Sequence, residues 1–203
     1  KYIHVWPVHP YDRLVDFIKE KKWDKLKIGV EMDSHYFTAF SYEKLKNGLP
    51  NSKIKDCERL VNWVRLVKSD QEIKYMKIAS EITQLGMKTA FKEINPGVRQ
   101  CDAVAKIYST LISGTSEYGA DYASIVPLIP TGKGTSASHL TWTDEKFVNG
   151  EASIVEISGA YKKYHCPMAR TVLLGKPDQK KIDTMKKTRE ALESGINVTK
   201  PGN

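Results

Sequence analysis

Two long amphipathic stretches, residues 70–93 and 178–199, each run into a Pro-Gly pair, Asn95-Pro96-Gly97 and Lys200-Pro201-Gly202. Proline cannot continue a helix and glycine readily takes the left-handed turn after one, so both stretches read as helices with defined ends. The prolines stand 105 residues apart. That period predicts two structurally related halves, each opening on a long helix, with only the first half present in full. Ser69 followed by Glu72 predicts a capping box at the start of the first helix. Its apolar stripe, Ile73, Met76, Ile78, Ile82, Leu85 and Met87, implies core packing with no cofactor. The second helix carries Ile182, Met185, Leu192, Ile196 and Val198 in the same way.

Between them the pattern predicts a helix over Gln100–Ser113 and strands at Tyr122–Ile129, Ala152–Ser158 and Arg170–Leu174. Ahead of them, residues 1–61 alternate. Tyr2–Trp6, Leu26–Glu31 and Ser52–Asp56 read as strands, and Tyr11–Lys22 and Ser41–Leu49 as helices, which implies a parallel or mixed sheet with helices on its faces. Val61–Arg65 reads as a connector, dividing the chain into domains 1–63 and 64–203. The chain opens directly on a strand and stops just after the second Pro-Gly, so further residues are expected on both sides. His4, His9 and His35 in the first domain read as structural or surface groups.

The net charge of +8 would suit an acidic partner, but the lysines are spread along amphipathic segments rather than gathered in a stripe, which argues against nucleic-acid binding. Cys57, Cys101 and Cys166 stand far apart without a CxxC pair, suggesting neither a zinc cluster nor a disulfide framework. No apolar run reaches the roughly 18 residues that span a bilayer. A cytoplasmic protein without membrane partners is the expectation.

Chemistry concentrates between Ser138 and Thr171, where His139, Glu156 and Arg170 follow one another. Glu156 ends an apolar, β-branched run that reads as a buried strand, and a buried carboxylate requires a cation, hydrogen bonds, a metal or a chemical role. The loop Thr131-Gly-Lys-Gly-Thr-Ser carries part of a phosphate-loop motif but lacks the earlier glycine and the following helix. A flexible loop beside a substrate pocket is the better reading.

These residues resemble the creatinase/prolidase superfamily. The helix-Pro-Gly repeat, the single loop histidine and the strand pair ending in Arg170-Thr171 are similar to the first half of its pita-bread fold, an α/β (α+β) catalytic domain, here preceded by part of a creatinase-type N-terminal domain. Metal-dependent members place aspartates at the Glu156 position and eleven residues on, where this chain has Pro167. Proline offers no ligand, so the resemblance points to the metal-free branch and no cofactor. The wording around Thr131–Ser136, Ser138–Glu145 and Tyr164–Thr171 is most similar to the ectoine hydrolases.

The resemblance implies a hydrolase cleaving a C–N bond of a small zwitterionic amidine or amide. His139 would move protons, and Glu156 would pair with the amidinium or attack the ring carbon. His165, Cys166 and Arg170 are expected to border the substrate, Arg170 chiefly as an ion-pair partner, with Tyr161, Tyr164 and Trp142 as packing or pocket walls. Family members are commonly homodimers, which is the expectation here. Two other readings stand beside this one: a divalent-metal Xaa-Pro peptidase, with two manganese or similar ions, and a catalytically inactive pita-bread module that binds proteins.

Overall fold

The computed structural model describes residues 8–203. The strand expected at Tyr2–Trp6 and the histidine at position 4 lie outside the described residues. The chain forms two compact units, Lys1–Lys68 and Ser69–Asn203.

In the first unit, α1 (Pro10–Glu20) and α2 (Ala39–Gly48) alternate with β1 (Lys27–Val30) and β2 (Lys53–Asp56). Pro10 occupies the first turn of α1, where its missing N–H costs nothing, and His9 caps that turn by accepting from the Tyr11 N–H at 3.2 Å. This histidine is structural. β1 and β2 pair in parallel, with Ile28 opposite Ile54, and α2 makes the crossover. Val15, Ile18, Leu45 and Leu49 form the core. Leu14 and Phe17, also apolar residues of α1, border an open apolar cavity of about 720 Å³. The expected connector at Val61–Arg65 is helical: α3 spans Leu60–Leu66, with Trp63, Val64 and Leu66 exposed.

In the second unit, α4 (Asp70–Glu93) begins at its predicted capping box and ends before its predicted Pro-Gly stop, and α5 spans the expected Gln100–Ser113. The capping box forms, with the Ser69 N–H donating to Glu72 Oε2 at 2.6 Å and the Glu72 N–H donating to Ser69 Oγ at 3.4 Å. α6 (Gln179–Val198) is capped by Asp178, which accepts from the Lys181 N–H at 2.8 Å. Met185, Leu192 and Ile196 on α6 are exposed. No helix among the described residues is long and apolar enough to cross a membrane.

The two later strands differ from expectation. β3 (Ala152–Tyr161) and β4 (Tyr164–Leu173) form one continuous antiparallel hairpin, turning on Lys162-Lys163. Both turn residues have positive φ, 50° and 67°. That is the sign of a primed two-residue turn, built here without the glycine or asparagine that usually announces one. The strand expected at Tyr122–Ile129 is not continuous. Its chain runs beside β3 and touches it through isolated bridges, Asp121 with Ala160, Leu128 with Glu156 and Thr131 with Ser153.

Helix α4 lies on one face of the hairpin. Its inward face is Ala79, Ile82, Thr83, Gly86, Met87 and Ala90; of the expected stripe, Ile82 and Met87 are buried and Ile78 packs against the core, while Ile73 is exposed. Small residues there let the helix approach closely. At Gly159 a β-carbon would stand 2.5 Å from the Ala79 carbonyl oxygen and 2.8 Å from the Thr83 nitrogen, so no larger residue fits without moving backbone. The buried Thr83 hydroxyl completes the contact, accepting from the Gly159 N–H at 2.8 Å and lying within donating distance of the carbonyls of Cys166, 2.6 Å, and Ala79, 2.9 Å.

Candidate active site

Side chains along β3 alternate between two faces, because successive residues of a strand point to opposite sides. Ser153, Val155 and Ile157 are buried, and the last two join the core with Ile82, Ile107 and Leu111. Ala152, Ile154 and Glu156 are half-buried on the other face. The expectation of a fully buried Glu156 is therefore corrected. Its strand is covered on one side, and its carboxylate belongs to the more open side, where water or a ligand offsets the cost of its charge.

Backbone hydrogen bonds hold Glu156 in place. Its N–H donates to the Leu128 carbonyl and its carbonyl accepts the Leu128 N–H, both at 2.9 Å. Two residues back, the Ile154 N–H donates to the Pro130 carbonyl at 3.0 Å. Thr131 Oγ1 lies 3.0 Å from Ser153 Oγ, and the 3-10 turn Gly132–Ser136 follows. That turn carries the chain to His139, whose φ of 60° lies in the left-handed region. Histidine tolerates this region better than most residues, yet it remains uncommon and concentrates at working sites. His139 and Glu156 line one cleft of about 150 Å³, with Leu128, Pro130, Ser138 and Ile154 as its walls. One imidazole and one carboxylate on such a cleft can hold a cationic group and move a proton.

The hairpin register sorts the other expected residues. His165 and Pro167 stand opposite Ala160 and Ser158, on the alternation shared with Glu156. Cys166 and Arg170 stand opposite Gly159 and Val155, on the alternation turned toward α4. The pleat thus turns Cys166 and Arg170 to the face opposite Glu156. The Arg170 guanidinium donates to the Ala169 carbonyl at 2.7 Å and takes part in no ion pair among the described residues. The aromatic expectations resolve into packing, for Trp142 and Tyr161 lie against the core. The Tyr164 hydroxyl donates to Glu72 Oε1 at 2.7 Å.

Pro167 sits comfortably in β4. Even-numbered residues of β3 turn their backbone groups toward the 121–131 segment, as the bonds of Ile154, Glu156 and Ala160 show. Ser158 and Pro167 therefore form a non-hydrogen-bonded pair, in which the missing proline N–H would have pointed away from β3 in any case. Pro167 is the diagonal neighbour of Glu156 on the same face, where a second carboxylate could share an ion with the first. A proline there has no donor, so the side chains present do not fit a two-carboxylate metal pair. Among the described residues no group of three or more His, Cys, Asp and Glu gathers around a common point.

Leu128 and Ile154 were not anticipated as cleft walls. The alternation within Ala152–Ser158, taken at face value, would have placed Ile154 beside Glu156.

Comparison with known proteins shows the family and the fold. Residues 74–203 match metallopeptidase family M24, and residues 1–67 match the creatinase/prolidase N-terminal domain. An ectoine hydrolase from Halomonas elongata is 41% identical over 209 residues, covering 100% of this chain and 52% of the relative. A Xaa-Pro dipeptidase from Pyrococcus horikoshii is 24% identical, covering 97% of this chain and 54% of the relative. The crystal structure of the prolidase from Pyrococcus horikoshii superposes with a TM-score of 0.80 at 22% identity, covering 96% of this chain and 53% of that one. The chain spans about half the length of the curated relatives it matches. A creatinase-type N-terminal unit followed by an α/β pita-bread unit whose helices and hairpin match the profile places this chain in metallopeptidase family M24, within the creatinase/prolidase superfamily.

Proposed function

We propose that the full-length protein is a hydrolase that cleaves a C–N bond of a small zwitterionic amidine or amide, ectoine-like in chemistry, without a metal ion. The observation that carries this reading is the joint placement of His139 and Glu156 on one small cleft, with the donorless Pro167 on the same face. The 41% identity to a protein named ectoine hydrolase supports the substrate class.

In this reading the Glu156 carboxylate pairs with the cationic amidine and attacks its carbon. The C–N bond breaks as the leaving nitrogen takes a proton from His139, and water then hydrolyses the acyl intermediate. One water is consumed overall, its oxygen ending on carbon and its hydrogen on nitrogen. The same reading has the enzyme acting on a compact substrate, as a cytoplasmic homodimer.

The test is the metal content and turnover of the full-length protein, purified without chelator in the presence of manganese, zinc, iron and cobalt. The expected result is a metal ratio near zero and ectoine hydrolysis that survives chelation. One or two metals per chain, with cleavage of Xaa-Pro dipeptides, would establish the metallopeptidase reading in its place. No turnover of any small amide would leave a binding module.

A further inference from the structure

The segment that leads into the cleft wall is clipped to the tip of the β3–β4 hairpin. Asp121 accepts the Lys163 N–H at 3.0 Å and faces its ammonium at 3.4 Å. The same ammonium lies 4.7 Å from the centre of the Tyr122 ring. Three residues beyond Asp121, the Ser124 N–H donates to His165 Nε2 at 3.1 Å, with Ser124 Oγ 3.0 Å from the same nitrogen. Across the ring, His165 Nδ1 lies 3.1 Å from the Lys163 carbonyl, which can only accept. Nδ1 therefore carries the proton and Nε2 the lone pair. Both nitrogens of His165 are engaged by the protein, so neither remains to bind a substrate.

We propose that His165 is a positioning residue: its imidazole holds the 121–126 segment against the hairpin, and through that segment sets Leu128, the cleft wall paired by backbone to Glu156. The connection is short. Three residues separate Ser124 from Leu128: Ile125 and Val126 have exposed side chains, and Pro127 is buried. Freed from His165, the segment would keep hydrogen bonds to the hairpin only at Asp121 and Leu128, and the cleft would lose its fixed width. The role in catalysis rests on the hydrolase reading above, whereas the clip itself does not.

The experiment follows backbone hydrogen exchange over residues 121–128 of the full-length protein, with steady-state kinetics alongside. Three variants separate bonding from bulk: His165→Ala removes ring and bonds, His165→Phe keeps a ring without acceptors, and His165→Gln keeps an acceptor for the Ser124 N–H. The expected result is exchange about tenfold faster in the Ala and Phe variants and near wild type in Gln, in line with the loss of one or two hydrogen bonds. KM should rise by a similar factor in Ala and Phe, with kcat changed less than about threefold. Unchanged exchange in His165→Ala would overturn the clip, whatever the protein hydrolyses. Faster exchange with unaltered KM would overturn the link from the clip to the cleft. A wild-type protein that hydrolyses nothing would refute the hydrolase reading, and the exchange data would still decide the clip.

Discussion

The two faces of the β3–β4 hairpin are made by one stretch of chain and behave oppositely. Toward α4 the contact is dry and exact to a fraction of an ångström, with Gly159 admitting helix backbone and the Thr83 hydroxyl joining helix to both strands. On the other face Ile154 and Glu156 stay half-buried, and a loop histidine closes a small cleft over them. A strand can thus be rigid because one side is filled, and chemically useful because the other is left room. The rigid side positions the working side.

Four measurements on the full-length protein would sharpen or break this division. The largest effect is expected on the open face. Glu156→Gln should lower kcat about 10³-fold with an unchanged unfolding midpoint, while Arg170→Ala, on the opposite alternation, should change kcat less than about threefold. Equal losses from both would refute the assignment of faces. On the dry side, Gly159→Ala should cost about 3 kcal/mol in urea unfolding, because its new methyl meets helix backbone that cannot rotate away. Thr83→Val keeps the volume but strips a buried N–H and a carbonyl of their partner. Its expected cost is about 2 kcal/mol, with kcat/KM near wild type once folded.

The smallest effect concerns acid. The Lys163 backbone N–H, followed by its ammonium charge, holds the Asp121 carboxyl below its ordinary range. A carboxylate whose folded pKa is lowered stabilises the fold above its unfolded pKa, about 3.9, and loses that contribution as pH falls through the lower folded value. The difference in urea midpoint between wild type and Asp121→Asn should be present at neutral pH and shrink below about pH 4. A gap that persisted into acid would point to packing instead of charge.

Much of the helical framework was legible beforehand because its signals are local. The Ser69–Glu72 capping box and the Asn95-Pro96-Gly97 stop each act within a few residues. The hairpin was harder, since Lys162-Lys163 lacks a turn signature and Pro167 argues against a strand unless it is known which strand edge it faces. α3, where a connector is expected, has apolar residues that are exposed in the structure, so it carries no buried stripe for a sequence pattern to show. Candidate site residues were legible individually, as a histidine, a carboxylate and their neighbours, and not as a set.

What the sequence by itself determined is what chain chemistry dictates over short range: where helices start and stop, which family the chain resembles, and that position 167 has no ligand to offer. Only the tertiary structure decided which side chains meet. His139 and Glu156 lie 17 residues apart and share a cleft because the 128–131 segment is hydrogen-bonded to β3. Cys166 and Arg170 fall away from Glu156 although their neighbours His165 and Pro167 do not. The reason is the period of two in a β-strand: a shift of one residue exchanges every side chain between faces, and register is set by pairing across the hairpin, which no single stretch of sequence contains.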